Sequence, residues 1–343
     1  MVLIFFLSTV IINIILYLNL KKISKFYNLF DYPDNQRKIH KKPTAILGGL
    51  FLVINFLIIL IYYLFFFSET IFPKEVFGYL DNIKDNRSNR VLLSFFFIPI
   101  TFFFIGYLDD KFNLKPNTKL INLILIILLT LLIDQDLIIT ELKFDFINKL
   151  IKLNIFSIFF TTMSILILVN ALNMFDGINL QSTITYCLFF IAFIAYESFF
   201  IISIFFIIQL LFFSTKNFKG TIFLGSSGNM FLSYLVSLMI IKSYNIGNFE
   251  NAEMILLLLS IPGFDLIRLF FKRIIINKHP FSPDRNHLQH ILFKKYSLII
   301  SNIILSLMIF LPNISYYYFN NFMYSFILSI SFYMIVIIFC KKF

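Results

Sequence analysis

The chain has 343 residues, of which 59% are hydrophobic and only 14% charged, with a mean hydropathy of +0.87. So few charges cannot coat a water-soluble body of this size, which excludes a soluble enzyme and leaves a polytopic helical membrane protein. The net charge of +11 is then a matter of sidedness, since no nucleic-acid-binding motif accompanies it and the basic residues are split among loops.

Apolar runs predict about eleven transmembrane helices, over residues 2–20, 45–67, 91–108, 119–134, 155–172, 182–197, 199–213, 229–242, 253–270, 297–312 and 322–340. The first run lacks a basic n-region and is followed by Lys21 and Lys22, so it reads as a retained helix with its N-terminus outside. Counting inward from there, the cytoplasmic segments, including the C-terminus, hold 21 of the 29 Lys and Arg but only 7 of the 18 acids. That asymmetry agrees with the positive-inside rule. Cys187 and Cys340 lie within apolar runs and form neither a disulfide framework nor a metal motif. With no internal repeat and no long linker, the expectation is one all-α membrane domain, residues 1–343.

In chain order, five distant segments bring polar groups to the predicted cytoplasmic face. The first loop reads DYPDNQRKIHKKPTAILGG (31–49), the third span ends in GYLDDKFNLKPNTK (106–119), and the fifth runs into NALNMFDGINLQ (170–181). The seventh-to-eighth connection is KNFKGTIFLGSSGN (216–229), and the ninth span leads through PGFDLIRLFFKR (262–273) to KHPFSPDRNHLQH (278–290). Helix capping alone would spread such residues over both faces. The outer loops show no comparable grouping, so the cytoplasmic ends are predicted to build an active site.

The chemistry follows from residue type and spacing. Adjacent carboxylates at Asp109 and Asp110 suit a divalent cation or a proton transfer. Asn173 and Asp176, three apart, share a helical face and can offer oxygens to one cation, with Gly177 permitting a sharp turn. Asn170 lies deeper and reads as a packing hydrogen bonder, as do the mid-span Gln209 and Asn302. Lys119, Arg268 and Arg285 suit phosphate oxygens, although snorkelling explains any one of them equally well. His287 and His290 can face one site and fit phosphate binding or proton handling better than a metal pair. FLGSSG reads as a turn opening a helix, a phosphate cradle that is weak evidence alone.

The order of these motifs resembles the polyprenyl-phosphate N-acetylhexosamine-1-phosphate transferases, glycosyltransferase family 4. The matching pieces run from RKIHKKPT, with Arg37 and His40, through DDKFNL and Lys119, NALNMFDGIN and FDLIR to PFSPDRNH and HLQH. The resemblance implies phosphoryl transfer at the cytoplasmic face of the inner membrane. A polyprenyl (undecaprenyl) phosphate oxygen attacks the sugar-bearing phosphorus of a UDP-N-acetylated sugar, UMP leaves, and the lipid diphosphate-sugar initiates a cell-surface polysaccharide. It implies Mg²⁺, with Mn²⁺ as a substitute, held by Asp110, Asn173 and Asp176. Asp109, Asp110, Asp176 and His287 are implied at the catalytic centre, either aspartate of the pair contacting the lipid phosphate. Lys119, Asn173, Asn179, Arg268, Arg285, His290, Arg37 and His40 are implied in substrate binding, and a homodimer is compatible with the family.

Departures accompany the matches. Ser226 and Asn229 stand where the family commonly has Asp and Ser, the former a metal ligand in the family's usual picture. Asn179 replaces a second Asp, Gln289 a middle His, and Ala45 and Ile46 a Pro and an Arg. Two accounts stay open: a divergent branch with another donor sugar or metal arrangement, or a member that has lost catalysis and serves as a scaffold. Retention of Asp109, Asp110, Lys119, Asn173, Asp176, Arg285 and His287 favours activity. A transporter is disfavoured because the spans carry almost no charge except at their ends.

Overall fold

The structure, a computed structural model, describes residues 2–27, 29–33, 42–66, 71–72, 86–278 and 286–341. Helix α1 (Val2–Tyr27) leads to strand β1 (Phe30–Asp31), then strand β2 (Thr44–Ile46) and α2 (Gly48–Phe65). Helix α3 (Asn86–Val91) passes through a π-helical stretch, Leu92–Phe97, into α4 (Ile98–Phe112). Pro99 lies in the first turn of α4, and the π stretch widens the helix where its missing N–H would otherwise break the ladder. Then come α5 (Pro116–Ile133), a hairpin of β3 (Glu141–Phe144) and β4 (Lys149–Lys152), α6 (Ser157–Phe175), α7 (Gln181–Ala195) and α8 (Phe200–Phe218). Strand β5 (Ile222–Phe223) precedes α9 (Gly225–Asn245), and the chain ends with α10 (Ala252–Leu258), α11 (Ser260–Ile275), α12 (Leu288–Lys295), α13 (Leu298–Phe319) and α14 (Phe322–Lys341).

Eight helical segments among the described residues are long and apolar enough to cross a membrane, or nine if the bent pair α10–α11 is one broken span. This is a mostly helical, multi-pass membrane protein. Each of the eleven predicted runs falls on helix, but three fall short as simple spans. Helix α7 has only 15 residues. The run 253–270 bends by 70° at Leu259, just before Ser260 and Pro262. Helix α9 has the length, but five serines, Asn229 and Lys242 lower its apolarity.

The reason for α9's polarity is its place. Every residue from 227 to 243 is buried, so the helix meets protein rather than lipid on all sides. Its serines satisfy themselves locally: Ser233 donates to the Met230 carbonyl and Ser237 to that of Ser233. It packs most heavily on α4, and also on α6 and α2. Small residues permit the approach, for a Cβ on Gly106 would lie 2.4 Å from the Ser226 carbonyl oxygen. Aromatic rings fill the rest, with Phe102 stacked on Tyr234 at 4.2 Å and Phe56 surrounded by Phe95, Phe96, Phe206 and Phe231.

The structure is consistent with the all-α expectation, with five short strands added among the described residues. β1 pairs antiparallel with β2 (Asp31 opposite Thr44) and β2 pairs parallel with β5 (Ile46 opposite Phe223). The Ile46 N–H bonds the Leu29 carbonyl. This small sheet ties the segments before α2 and α9 together at the end of the bundle where α4 and α6 finish. At the opposite end, Asp134 and Lys242 form a buried ion pair at 2.8 Å, and Ser94 donates to the same carboxylate at 2.6 Å.

Candidate active site

Helices α4 and α6 end, and α9 begins, around one cleft of about 530 Å³. Its lining includes Asp31, Asp109, Asp110, Asn173, Asp176 and Asn179, with Ser226, Asn229 and His290 beside them. A larger cavity, about 760 Å³, lies at the opposite end among Asp136, Glu141, Lys143 and Glu250, and none of the predicted site residues borders it. The smaller cleft is where the predicted donor groups converge.

The two aspartates of the pair have different surroundings. Asp109 accepts from Lys119 Nζ at 2.8 Å, both side chains being about 15% exposed. Asp110 reaches across to α9 and accepts the backbone N–H groups of Ser226 (2.8 Å) and Ser227 (3.0 Å). Those are first-turn amides with no partner inside their own helix, so Asp110 caps α9 from a different helix and is favoured by its dipole. A second lone pair on each carboxylate oxygen remains for a cation.

Asp176 ends α6 and receives two hydrogen bonds, from Ser182 Oγ to one oxygen and from Asn229 Nδ2 (2.5 Å) to the other. Removal from water pushes its carboxyl above the ordinary carboxylate value, and these two bonds oppose that rise. Asn173, one turn earlier, lines the cleft with no hydrogen-bond partner among the described residues. Among the described residues no three His, Cys, Asp or Glu side chains form a metal cage. Mg²⁺ seldom needs one: it is commonly held by one or two carboxylates together with substrate phosphates and water. Asp110 and Asp176 with the Asn173 carboxamide fit that mode, and the neutral Ser226 adds no third carboxylate.

The two histidines separate. His290 borders the cleft, its Nε2 2.9 Å from where a Cβ on Gly177 would be, so a side chain there would displace Gln289 and His290. His287 is buried away from the cleft. Its Nδ1 meets Asp265 Oδ2 at 2.9 Å and its Nε2 accepts from Arg273 Nη2 at 3.2 Å, which places the ring proton on Nδ1. Arg268 also lies in this network, donating to Asp265 (2.7 Å), to Tyr333 Oη (2.7 Å) and to the Asn286 carbonyl (2.6 Å). The Leu288 N–H bonds Asp265 as well, so the cluster pins the start of α12 and sets the height of His290. The structure therefore brings Asp109, Asp110, Lys119, Asn173, Asp176, Asn179 and His290 together, but places His287 and Arg268 behind them. Arg37, His40 and Arg285 lie outside the described residues.

Sequence reasoning missed Asp31, Asn113, Asn217 and Phe293, which also line the cleft. Asp31 stood in the quoted DYPDNQRKIH segment, and only its register opposite Thr44 turns it toward the site's segments. Ile46 presents an apolar face to the cleft where the resembled family carries Arg, and it packs against Gly225.

Comparison with known proteins points to one family. Residues 92–244 match the model of Glycosyl transferase family 4, a stretch that contains Asp109, Asp110, Lys119, Asp176 and Asn229. The chain is 27% identical over 286 residues (79% of it, 71% of the relative) to a Bacillus subtilis (strain 168) protein named "Probable undecaprenyl-phosphate N-acetylglucosaminyl 1-phosphate transferase". It is 22% identical over 304 residues (84% of it, 76% of the relative) to the undecaprenyl-phosphate alpha-N-acetylglucosaminyl 1-phosphate transferase of Escherichia coli O157:H7. Both the matched stretch and the two relatives make this chain similar to glycosyl transferase family 4 at low identity.

Proposed function

We propose that this protein transfers an N-acetylhexosamine-1-phosphate from a UDP-sugar to polyprenyl phosphate at the cytoplasmic face of the inner membrane. A lipid phosphate oxygen forms a bond to the sugar-bearing phosphorus, the bond to the UMP oxygen breaks, and UMP leaves. The observation that carries this reading is the cleft that collects Asp109, Asp110, Asn173, Asp176 and His290 at one end of an apolar bundle. A lipid acceptor can enter such a site from the bilayer while its phosphate meets polar groups at the helix ends.

Such a transfer needs positioning and charge neutralisation more than covalent help. A divalent cation bound by Asp110, Asn173 and Asp176 would supply neutralisation of the diphosphate charge. Lys119, held by Asp109, sets a cation at the cleft edge for phosphate oxygens. In this reading Asp109, which does not cap α9, is the aspartate that meets the acceptor phosphate. His290 stands on the other wall as a donor to the leaving nucleotide phosphate, and His287 acts through it by positioning α12.

The test is UMP release by purified protein in detergent with undecaprenyl phosphate, Mg²⁺ or Mn²⁺, and a panel of UDP-N-acetylhexosamines. Lipid-dependent UMP release, lost in Asp109→Asn and Asp176→Asn, is the expected result. Folded protein that releases no UMP across the panel favours the scaffold reading instead.

A further inference from the structure

The segment Asp176–Leu180 joins α6 to α7, and Leu180 within it adopts a φ of +70°, a conformation that a branched residue rarely takes unaided. What holds it is a set of carboxamides from five different helices. Gln181 Oε1 accepts the Gly177 N–H (3.3 Å), Asn217 Oδ1 accepts the Leu180 N–H (2.6 Å), and Asn302 Nδ2 donates to the Asn179 carbonyl (3.0 Å). Gln289 Nε2 donates to the Met174 carbonyl (3.2 Å), and Asn229 Nδ2 donates to Asp176 itself. All five side chains are at most 6% exposed. Each bond goes to the loop backbone, to the last turn of α6 before it, or to Asp176.

Asn229 is the most constrained. Tyr186 Oη shares its proton between the Asn229 backbone carbonyl (3.1 Å) and Oδ1 (3.2 Å), and together with the bonds from Nδ2 to Asp176 and to the Gly225 carbonyl (3.1 Å) this sets the amide with its oxygen toward Tyr186. A serine at this position is too short to reach Tyr186 and Asp176 together. Gln289 likewise spans from α12 to Met174 and presses on Gly177 at 2.8–2.9 Å from a would-be Cβ.

We infer that Asn229, oriented by Tyr186, is a positioning residue that aims the Asp176 carboxylate into the cleft. Gln289 works with it from the opposite wall. Two of the residues that depart from the family pattern, Asn229 and Gln289, are then working parts of a neutral clamp and not signs of a decayed site. The geometry stands by itself, while the consequence for turnover rests on the transferase reading above.

The test uses full-length protein in detergent micelles, with undecaprenyl phosphate and UDP-N-acetylglucosamine as probes. It compares wild type with Asn229→Ser and with Tyr186→Phe, which removes only the hydroxyl that orients the amide. Readouts are kcat and KM for the nucleotide sugar, Mn²⁺ affinity by electron paramagnetic resonance, and the thermal midpoint. Partners that orient a metal ligand typically contribute about 10- to 100-fold in affinity or activity. Asn229→Ser is expected to lower kcat and Mn²⁺ affinity by about that factor, with KM little changed and the thermal midpoint near wild type. Tyr186→Phe should follow in the same direction with a smaller loss, and it decides the matter if Asn229→Ser does not fold. Wild-type kcat and Mn²⁺ affinity in the variants overturn the inference, as does a loss that only tracks global unfolding. If wild type binds Mn²⁺ but releases no UMP, the transferase reading fails by itself, and the ratio of Mn²⁺ affinities still decides the clamp. Absence of Mn²⁺ binding in wild type overturns it.

Discussion

Asp176 shows how much one side chain's surroundings matter. Its carboxyl lies above the ordinary carboxylate value because it loses water, and Ser182 and Asn229 only partly offset that loss. The ionised form is the one that binds a cation. A raised value means that protonation sets in sooner as pH falls. Cation affinity in the substrate-free protein should therefore decline on the acid side at a pH above the ordinary carboxylate range. Mn²⁺ titrations from about pH 5 to pH 8 would show this limb. Asp176→Asn should remove it, together with about 10²- to 10³-fold of turnover. Retention of wild-type acid behaviour in that variant would assign the limb to another group. Asp109, Asp110, Asn173 and Asp176 were legible in the sequence because polar residues in short spacing at the end of an apolar run have few other reasons to occur there. Asn217 was silent, and Asn229 stood out only as a departure, because what each does depends on the helix it happens to face.

At the scale of elements, α9 is the organising piece. Its first turn is capped by Asp110 from α4, and its Asn229 reaches the end of α6, so the site depends on where α9 starts. Gly106→Ala tests this placement. The added Cβ would meet the Ser226 carbonyl and Ser227 Cα at 2.4 Å, and both are backbone atoms that cannot rotate aside. Overpacking of this kind costs about 1–3 kcal/mol. A lower thermal midpoint in detergent, accompanied by loss of UMP release, is expected. A variant with wild-type melting would show that the helices have room to separate. Apolar runs located the helices well, since length and hydropathy are local properties. The same signal could not show that α9 is enclosed by protein, that α10 and α11 bend apart, or that residues 44–46 form a strand. Each of these depends on partners far away in the chain.

Across the whole molecule, the two ends of the bundle do different work. One gathers the cleft; the other holds the buried pair of Asp134 and Lys242, both at most 4% exposed. Along α9, Lys242 lies about 24 Å from Ser226 at the rise of an α-helix. Removing one partner of a buried pair leaves the other charge uncompensated, at about 3–5 kcal/mol. Lys242→Ala should thus lower the thermal midpoint strongly while UMP release per folded molecule stays near wild type, and Asp134→Asn in the same chain should restore part of the stability. A variant that melts normally but fails to turn over would instead connect the far end of the bundle to the chemistry.

The sequence by itself determined that this is a multi-pass helical membrane protein, where its apolar helices lie, and which aspartates and asparagines would gather at one end of them. Those properties follow from composition, run length and the spacing of a few residues, all of which are local. Tertiary structure alone decided how the labour is divided. Asp110 caps a neighbouring helix while Asp109 pairs with Lys119, and His290 borders the cleft while His287 and Arg268 brace the wall behind it. A hydrogen bond of 3 Å joins residues more than a hundred positions apart as easily as neighbours, and nothing in a linear pattern records which of them will meet.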